Sequence, residues 1–260
     1  MTTLENAAAV LKLFQQKGVT LGHPGLTFTE VVEALKLPKS TVSRLLSTME
    51  NQGLLERDAD NRSFHIGRVL LSVAGHYLSA PLVDRTAPAL LRLADKTGCM
   101  GYISRLDGCD VVVMRMFHGR YFTQLVTPPG SRVPAAATST GRVLLALHSE
   151  DEIRARYQDG WPALPPNSPQ SIDALCEQLA GIRQRHWALA RNETLPGISS
   201  LSVAVHNKHH GESVALCLSF LSQETAPGYP PELLEELSAI ASEMAEKYGE
   251  TPLNTDFLSA

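Results

Sequence analysis

The chain is poor in the features that would announce an enzyme, a secreted protein or a membrane protein. It has four cysteines, Cys99, Cys109, Cys176 and Cys217, scattered and without a Cys-x-x-Cys pair, which fits reduced thiols in the core or pocket of a cytoplasmic protein. No apolar run approaches the roughly 18 residues of a membrane span. The start, MTTLENAAAVLKLF, has no basic leader and carries Glu5, unlike a secretion signal. No Gly-x-Ser-x-Gly elbow, phosphate loop, dinucleotide fingerprint or internal repeat is present. Bulk positive charge is missing too, since the formal net charge is −4. What remains is an ordinary core-forming composition, 43% hydrophobic and 19% charged, over 260 residues, enough for two domains.

The most informative stretch is 27–66, TFTEVVEALKLPKSTVSRLLSTMENQGLLERDADNRSFHI. It reads as a helix, a tight turn, a second helix and a short hairpin. In the second helix Val42, Leu45, Leu46 and Met49 share one face at helical spacing. Ser40, Thr41, Ser43, Arg44, Ser47 and Thr48 cover the other with short hydroxyls and one guanidinium. A merely solvated face would more often carry Glu and Lys; short hydroxyls and Arg suit close approach to phosphates and base edges. Residues 1–67 hold seven Lys and Arg against seven Asp and Glu, so the acidity lies elsewhere, and 36–48 holds Lys36, Lys39 and Arg44 with no acid. That is the charge pattern of a small DNA-facing patch presented twice by a dimer.

Along the chain, helices are expected at 6–17, 28–35 with Thr27 as N-cap, and from Lys39 or Ser40 to about 52. Strands at 54–57 and 63–66 flank a turn at 58–61 and make the wing, before a helix at 67–78. Pro81 and Pro88 mark a linker helix, 82–97. Strands follow at 99–106, 110–117 and 121–127, helices at 141–148, 151–157 and 172–186, strands at 187–192, 199–205 and 213–220, and a closing helix at 231–248. The expected architecture is α+β: a winged helix-turn-helix over 1–78, a linker helix over 79–97, and a mixed sheet flanked by helices over 98–260 that encloses a small-molecule pocket.

Helix-turn-helix docking puts the start of the second helix at the major groove. Lys39, Ser40 and Thr41 sit there, Arg44 is one turn on, and Ser43 and Ser47 share its side. Thr27 heads the first helix, and Arg57 and Arg62 belong to the wing, with Arg62 at its tip to meet the minor groove or backbone. Each has a plainer alternative. Ser40 could cap its helix, Arg44 could sit in a solvated ion pair, and Arg57 could pair with Glu56 or Asp58.

Three segments resemble the IclR family of bacterial transcriptional regulators, along nearly the whole chain. LKLPKSTVSRLLSTMENQGLLERD is similar to that family's recognition segment. PAAATSTGRVLLA is similar to its "tAxGKAlLA" signature, with Arg142 where Lys is usual, and WALARNETLPGISSLSVAVHN is similar to its "GYAxDxEExxxGxxxxAxPV" stretch. The resemblance implies a winged helix-turn-helix joined by a linker helix to a GAF-like effector domain, in dimers or dimers of dimers that bind palindromic double-stranded operators. No cofactor or metal is expected. In relatives the loop before the "GKA" helix, the third-motif positions and two positions of the last strand surround a small carboxylate. Carried over, these are Ser139, Thr140, Gly141, Ala190, Glu193, Ser200, Cys217 and Ser219. Ala190 replaces the usual Asp, which changes the polarity or room of the pocket, while Glu193 is kept.

The residues themselves agree in part with that site. Exposed N–H groups at a helix start near Gly141 would favour a carboxylate, although Ser139 could instead be a simple cap. Cys217 and Ser219 lie two apart on a strand and share a face, with plain packing as the alternative. Met100, Met114, Met116, Phe122, Trp187 and Phe220 are candidates for an apolar wall wide enough for an aromatic or longer-chain acid. A competing reading is an enzyme. His206, His209 and His210 beside Lys208 could form a zinc site, but the stretch reads better as a hairpin turn. Cys217 could be a thiol nucleophile, but its apolar neighbours would raise its pKa.

Overall fold

The computed structural model describes residues 2–17, 25–78, 80–120, 127–207, 211–222 and 228–247. The chain divides into two compact units, Met1–Ser79 and Ala80–Ala260.

The first unit contains α1 (Thr3–Lys17), α2 (Phe28–Leu35), α3 (Lys39–Asn51), the strands β1 (Leu55–Arg57) and β2 (Phe64–Ile66), and α4 (Arg68–Leu78). Thr27 caps α2 through a full capping box, accepting from the Glu30 amide while the Glu30 carboxylate accepts from the Thr27 amide. Lys36 turns the chain in the left-handed region (φ 52°), and Pro38, not Ser40, is the N-cap of α3. Val42, Leu45, Leu46 and Met49 are all buried, packed with Val10, Leu26, Val31, Leu55 and Phe64. Leu26 adds an isolated antiparallel bridge to Phe64, so the wing is braced from a third segment.

The second unit opens with α5 (Pro81–Thr97), the helix expected as a connector; Pro81 occupies its first turn and Pro88 lies within it. Then follow β3 (Met100–Asp107), β4 (Asp110–Phe117), β5 (Arg132–Pro134), a 3-10 turn (Ala135–Ala137), α6 (Ser139–Leu145), α7 (Glu150–Arg156), α8 (Ile172–Arg185), β6 (Trp187–Arg191), β7 (Ile198–Asn207), β8 (Glu212–Leu221) and α9 (Pro231–Lys247). The sheet order is β5-β4-β3-β8-β7-β6. It is antiparallel at every junction rather than mixed, the sequence neighbours β3–β4 and β7–β8 included. β5 was not expected from the sequence, being only three residues long beside Pro134. The strand expected at 121–127 falls almost wholly outside the described residues.

Alternation sorts the sheet's two faces. A Cβ on Gly101 would touch Leu90 and Ala94 of α5, so the odd positions at the start of β3 look towards α5. Met100 and Tyr102 look the other way, as do their register partners Ser219 and Cys217, and beyond them Ser200 and Ser202. On that side Val143, Leu144 and Leu145 of α6 form one core with Leu175 and Leu179 of α8 and Ala188 and Ala215 of the sheet.

Candidate functional site

Two surfaces deserve a chemical reading, one in each unit. In the first, Lys39, Ser40, Ser43, Arg44, Ser47 and Thr48 are exposed and Thr41 is half-buried. The hydroxyl-rich side of α3 is therefore open within its unit, while its apolar side anchors it. Thr48 is not wholly available, since its hydroxyl donates back to the Arg44 carbonyl at 2.8 Å. Thr27 is exposed, but its hydroxyl is engaged in the capping box. Arg57 pairs with neither Glu56 nor Asp58. It stacks over the Phe64 ring at 4.7 Å and lies 3.6 Å from Glu50. Arg62 is exposed at the hairpin turn with φ 57°. The Asp58 side chain organises that turn by accepting from the Asp60 and Asn61 amides at 2.8 and 3.1 Å. Those amides, Asn61 first, hold its carboxyl below the usual range.

In the second unit, a cavity of about 160 Å³ opens where β3, β8 and β7 meet the start of α6. Ser139, Thr140, Ala190, Glu193, Ser200, Cys217 and Ser219 all line it. Gly141 is not among the lining residues; it is packed so tightly that a Cβ would fall 2.0 Å from the Ala135 carbonyl oxygen. α6 begins at Ser139 rather than Gly141, and its cap is Thr138, whose hydroxyl accepts from the Gly141 amide at 3.0 Å. Among the described residues of the proposed apolar wall, only Met100 lines the cavity. Met114 is fully buried in the core, and Trp187 packs on Tyr229 and Arg185. Phe122 lies outside the described residues.

The floor is a network of hydroxyls. Ser139 Oγ is 2.8 Å from Ser200 Oγ and 2.7 Å from Ser202 Oγ. Cys217 Sγ lies 3.9 Å from Ser219 Oγ, and burial pushes its thiol pKa up. Tyr102, which the sequence reading passed over, brings its ring to the cavity; burial pushes its pKa up to about 12. Both groups are neutral donors near neutral pH. A buried thiol of raised pKa is a poor nucleophile.

Behind one wall stands a charge pair that sequence reasoning also passed over. Arg142 is 2% exposed and Glu193 8%. The guanidinium donates from Nη1 to Glu193 Oε2 at 2.6 Å and from Nη2 to Oε1 at 2.7 Å. The Ala136 and Leu189 carbonyls accept its remaining bonds at 3.2 and 2.9 Å. Among the described residues no cation lines the cavity itself, and Glu193 is its one carboxylate. Among them, too, no three His, Cys, Asp or Glu side chains gather as for a metal, and no helix is long and apolar enough to cross a membrane. His206 bonds Ser213 across the hairpin at 2.7 Å, and His209 and His210 lie outside the described residues.

A winged helix-turn-helix in one unit and a ring-sized, largely apolar cavity in the other define a type of DNA-binding regulator. Comparison with known proteins makes the class specific. Residues 3–59 match the IclR helix-turn-helix domain and 76–246 match the bacterial transcriptional regulator IclR C-terminal domain. The chain belongs to the IclR family of transcriptional regulators. It is 27% identical to the HTH-type transcriptional regulator XynR of Escherichia coli over 85% of this chain and 86% of that one. Its fold matches that of an IclR transcriptional regulator from Alicyclobacillus acidocaldarius with a TM-score of 0.74 at 24% identity, covering 95% and 96% of the two chains. It also matches an IclR homologue from Microbacterium hydrocarbonoxydans complexed with 4-hydroxybenzoate, with a TM-score of 0.76 at 18% identity over 95% and 99%.

Proposed function

We propose that this regulator controls catabolic genes in the cytoplasm by coupling a small organic acid, held in the β3–β8–β7 cavity, to operator binding through the exposed face of α3. The observation that carries this reading is the cavity, where seven of the eight pocket residues expected from the sequence meet. Its volume, about 160 Å³, matches the roughly 150 Å³ engineered cavity that takes one benzene ring. Ala190 leaves room where relatives carry Asp, and Ser139 and Ser200, backed by Ser202, offer donors with Tyr102 to a hydroxyl or carboxyl oxygen. A single-ring acid fits this wall better than a two- or three-carbon acid, and the 4-hydroxybenzoate bound by the Microbacterium homologue is of that class.

Lys39, Ser40, Thr41, Ser43, Arg44 and Ser47 face the major groove, with Arg62 on the flanking backbone or minor groove. Arg57, held by Glu50 and Phe64, acts chiefly by fixing the wing, and Thr27 by fixing the start of α2. A self-associated dimer, or a dimer of dimers, then reads a palindrome whose half-sites lie about one or two turns apart, each turn roughly 34–36 Å. A thermal-shift screen of benzoates against glyoxylate and pyruvate tests the pocket assignment. Stabilisation by ring acids is expected, and stabilisation confined to the two- and three-carbon acids would falsify it.

A further inference from the structure

Resting on that reading of the cavity, we infer that Arg142 is the carboxylate-recognising group of this protein, and that Glu193 is a resident carboxylate which an acid ligand displaces. An anion entering the cavity as it stands meets hydroxyls and the Glu193 carboxylate but no cation among the described lining residues. The cation paired with that lining carboxylate is the Arg142 guanidinium, and Glu193 fills its fork with the paired bonds that a ligand carboxylate would make. Two backbone carbonyls, of Ala136 and Leu189, hold the guanidinium in place whichever carboxylate occupies it.

Glu193 is placed to leave. It belongs to the surface connection between β6 and β7, where Thr194, Leu195, Pro196 and Gly197 are all exposed. Left-handed residues flank it, Asn192 with φ 54° and Gly197 with φ 79°. The stems on either side are tied independently of the ion pair. Asn192 Oδ1 accepts from the Gly197 amide at 2.7 Å, and the Asn192 amide donates to the Ile198 carbonyl at 2.9 Å. Besides the ion pair, the tip carrying Glu193, Thr194 and Leu195 is held by a long bond from the Thr194 hydroxyl to the Ala137 carbonyl at 3.5 Å and by the Leu195 carbonyl, which accepts from the Ile198 amide at 3.2 Å. A swing between the fixed points breaks little beyond the ion pair and the first of these bonds. The exchange is nearly balanced. The ligand carboxylate sheds water as it reaches Arg142, Glu193 regains water at the surface, and Arg142 is never left buried without a counter-ion. The cavity wall formed by Thr194 and Leu195 moves with it, so an acid and an uncharged ring of the same size leave the domain in different states.

The test uses the full chain and two probes, benzoate and its neutral isostere benzamide, titrated calorimetrically against wild type and Glu193→Gln. Removing the resident charge should tighten benzoate by about tenfold or more, the scale of one charge-assisted contact no longer competed for, while benzamide changes less than about twofold. Equal change for both probes, or weaker benzoate binding, overturns the inference while leaving the cavity assignment intact. Failure of both probes to bind wild type overturns the cavity assignment and the exchange with it. Because Glu193→Gln unpairs a buried cation and could fail to fold, hydrogen exchange on wild type supplies a second measurement. Benzoate at saturation should raise exchange at the amides of residues 193–195, and benzamide should not; identical protection with both ligands contradicts displacement.

Discussion

At the scale of single residues, two arginines carry opposite roles. Arg44 is exposed on α3, and nothing in its unit buries it. Arg44→Ala should weaken operator binding by about 1–3 kcal/mol without lowering stability, checked by a mobility-shift titration at fixed salt beside a melting curve. Arg142 is the reverse. Glu193→Ala strands the Arg142 guanidinium inside the domain without a counter-ion and should cost roughly 3–5 kcal/mol in chemical denaturation. The two were unequally legible. Arg44 stands among hydroxyls on a face whose opposite side is plainly apolar, so periodicity exposes it. Arg142 sits in an apolar run, RVLLA, where a charged residue is ordinarily solvated, and its partner lies 51 positions away. Tyr102 and Ser202 escaped for a related reason. Each was two residues from something already noticed, Met100 and Ser200, but only the observed register sets those alternations beside Cys217.

At the scale of elements, α3 and the wing were readable because each obeys one local rule. The helix follows the 3.6-residue apolar period, and the hairpin has a turn of Asp and Asn between strand formers. The apolar side does the anchoring, so Leu46→Ala should destabilise the first unit by about 2–5 kcal/mol, seen as a lower denaturation midpoint at unchanged slope. The hairpin tip depends on pH. Asp58 has its folded-state pKa lowered by the Asn61 and Asp60 amides. Its support is thus fully present above the ordinary carboxylate pKa and is lost as pH falls through the depressed folded value. Asp58→Asn should abolish that acid-side dependence of turn order, followed by amide shifts at residues 58–62. The start of α6 was less readable. Thr138, Ser139 and Thr140 can each serve as a cap, and the choice is made by tertiary packing that presses Gly141 onto Ala135. β5 was missed because three residues beside a proline carry no periodic signal.

At the scale of the whole molecule, a cavity in one unit and the exposed, hydroxyl-rich side of α3 in the other are the two sites that the proposed function couples. Linkage makes that joint reciprocal: whatever factor the ligand imposes on operator affinity, the operator imposes on ligand affinity. The central claim is tested most directly by titrating a duplex, selected by the protein from a random library, with wild type at fixed salt, first alone and then with benzoate at a concentration that saturates the cavity. Operator affinity should change by about 5- to 150-fold, the usual range of such coupling. The same operator affinity in both titrations, with benzoate demonstrably bound, would contradict it.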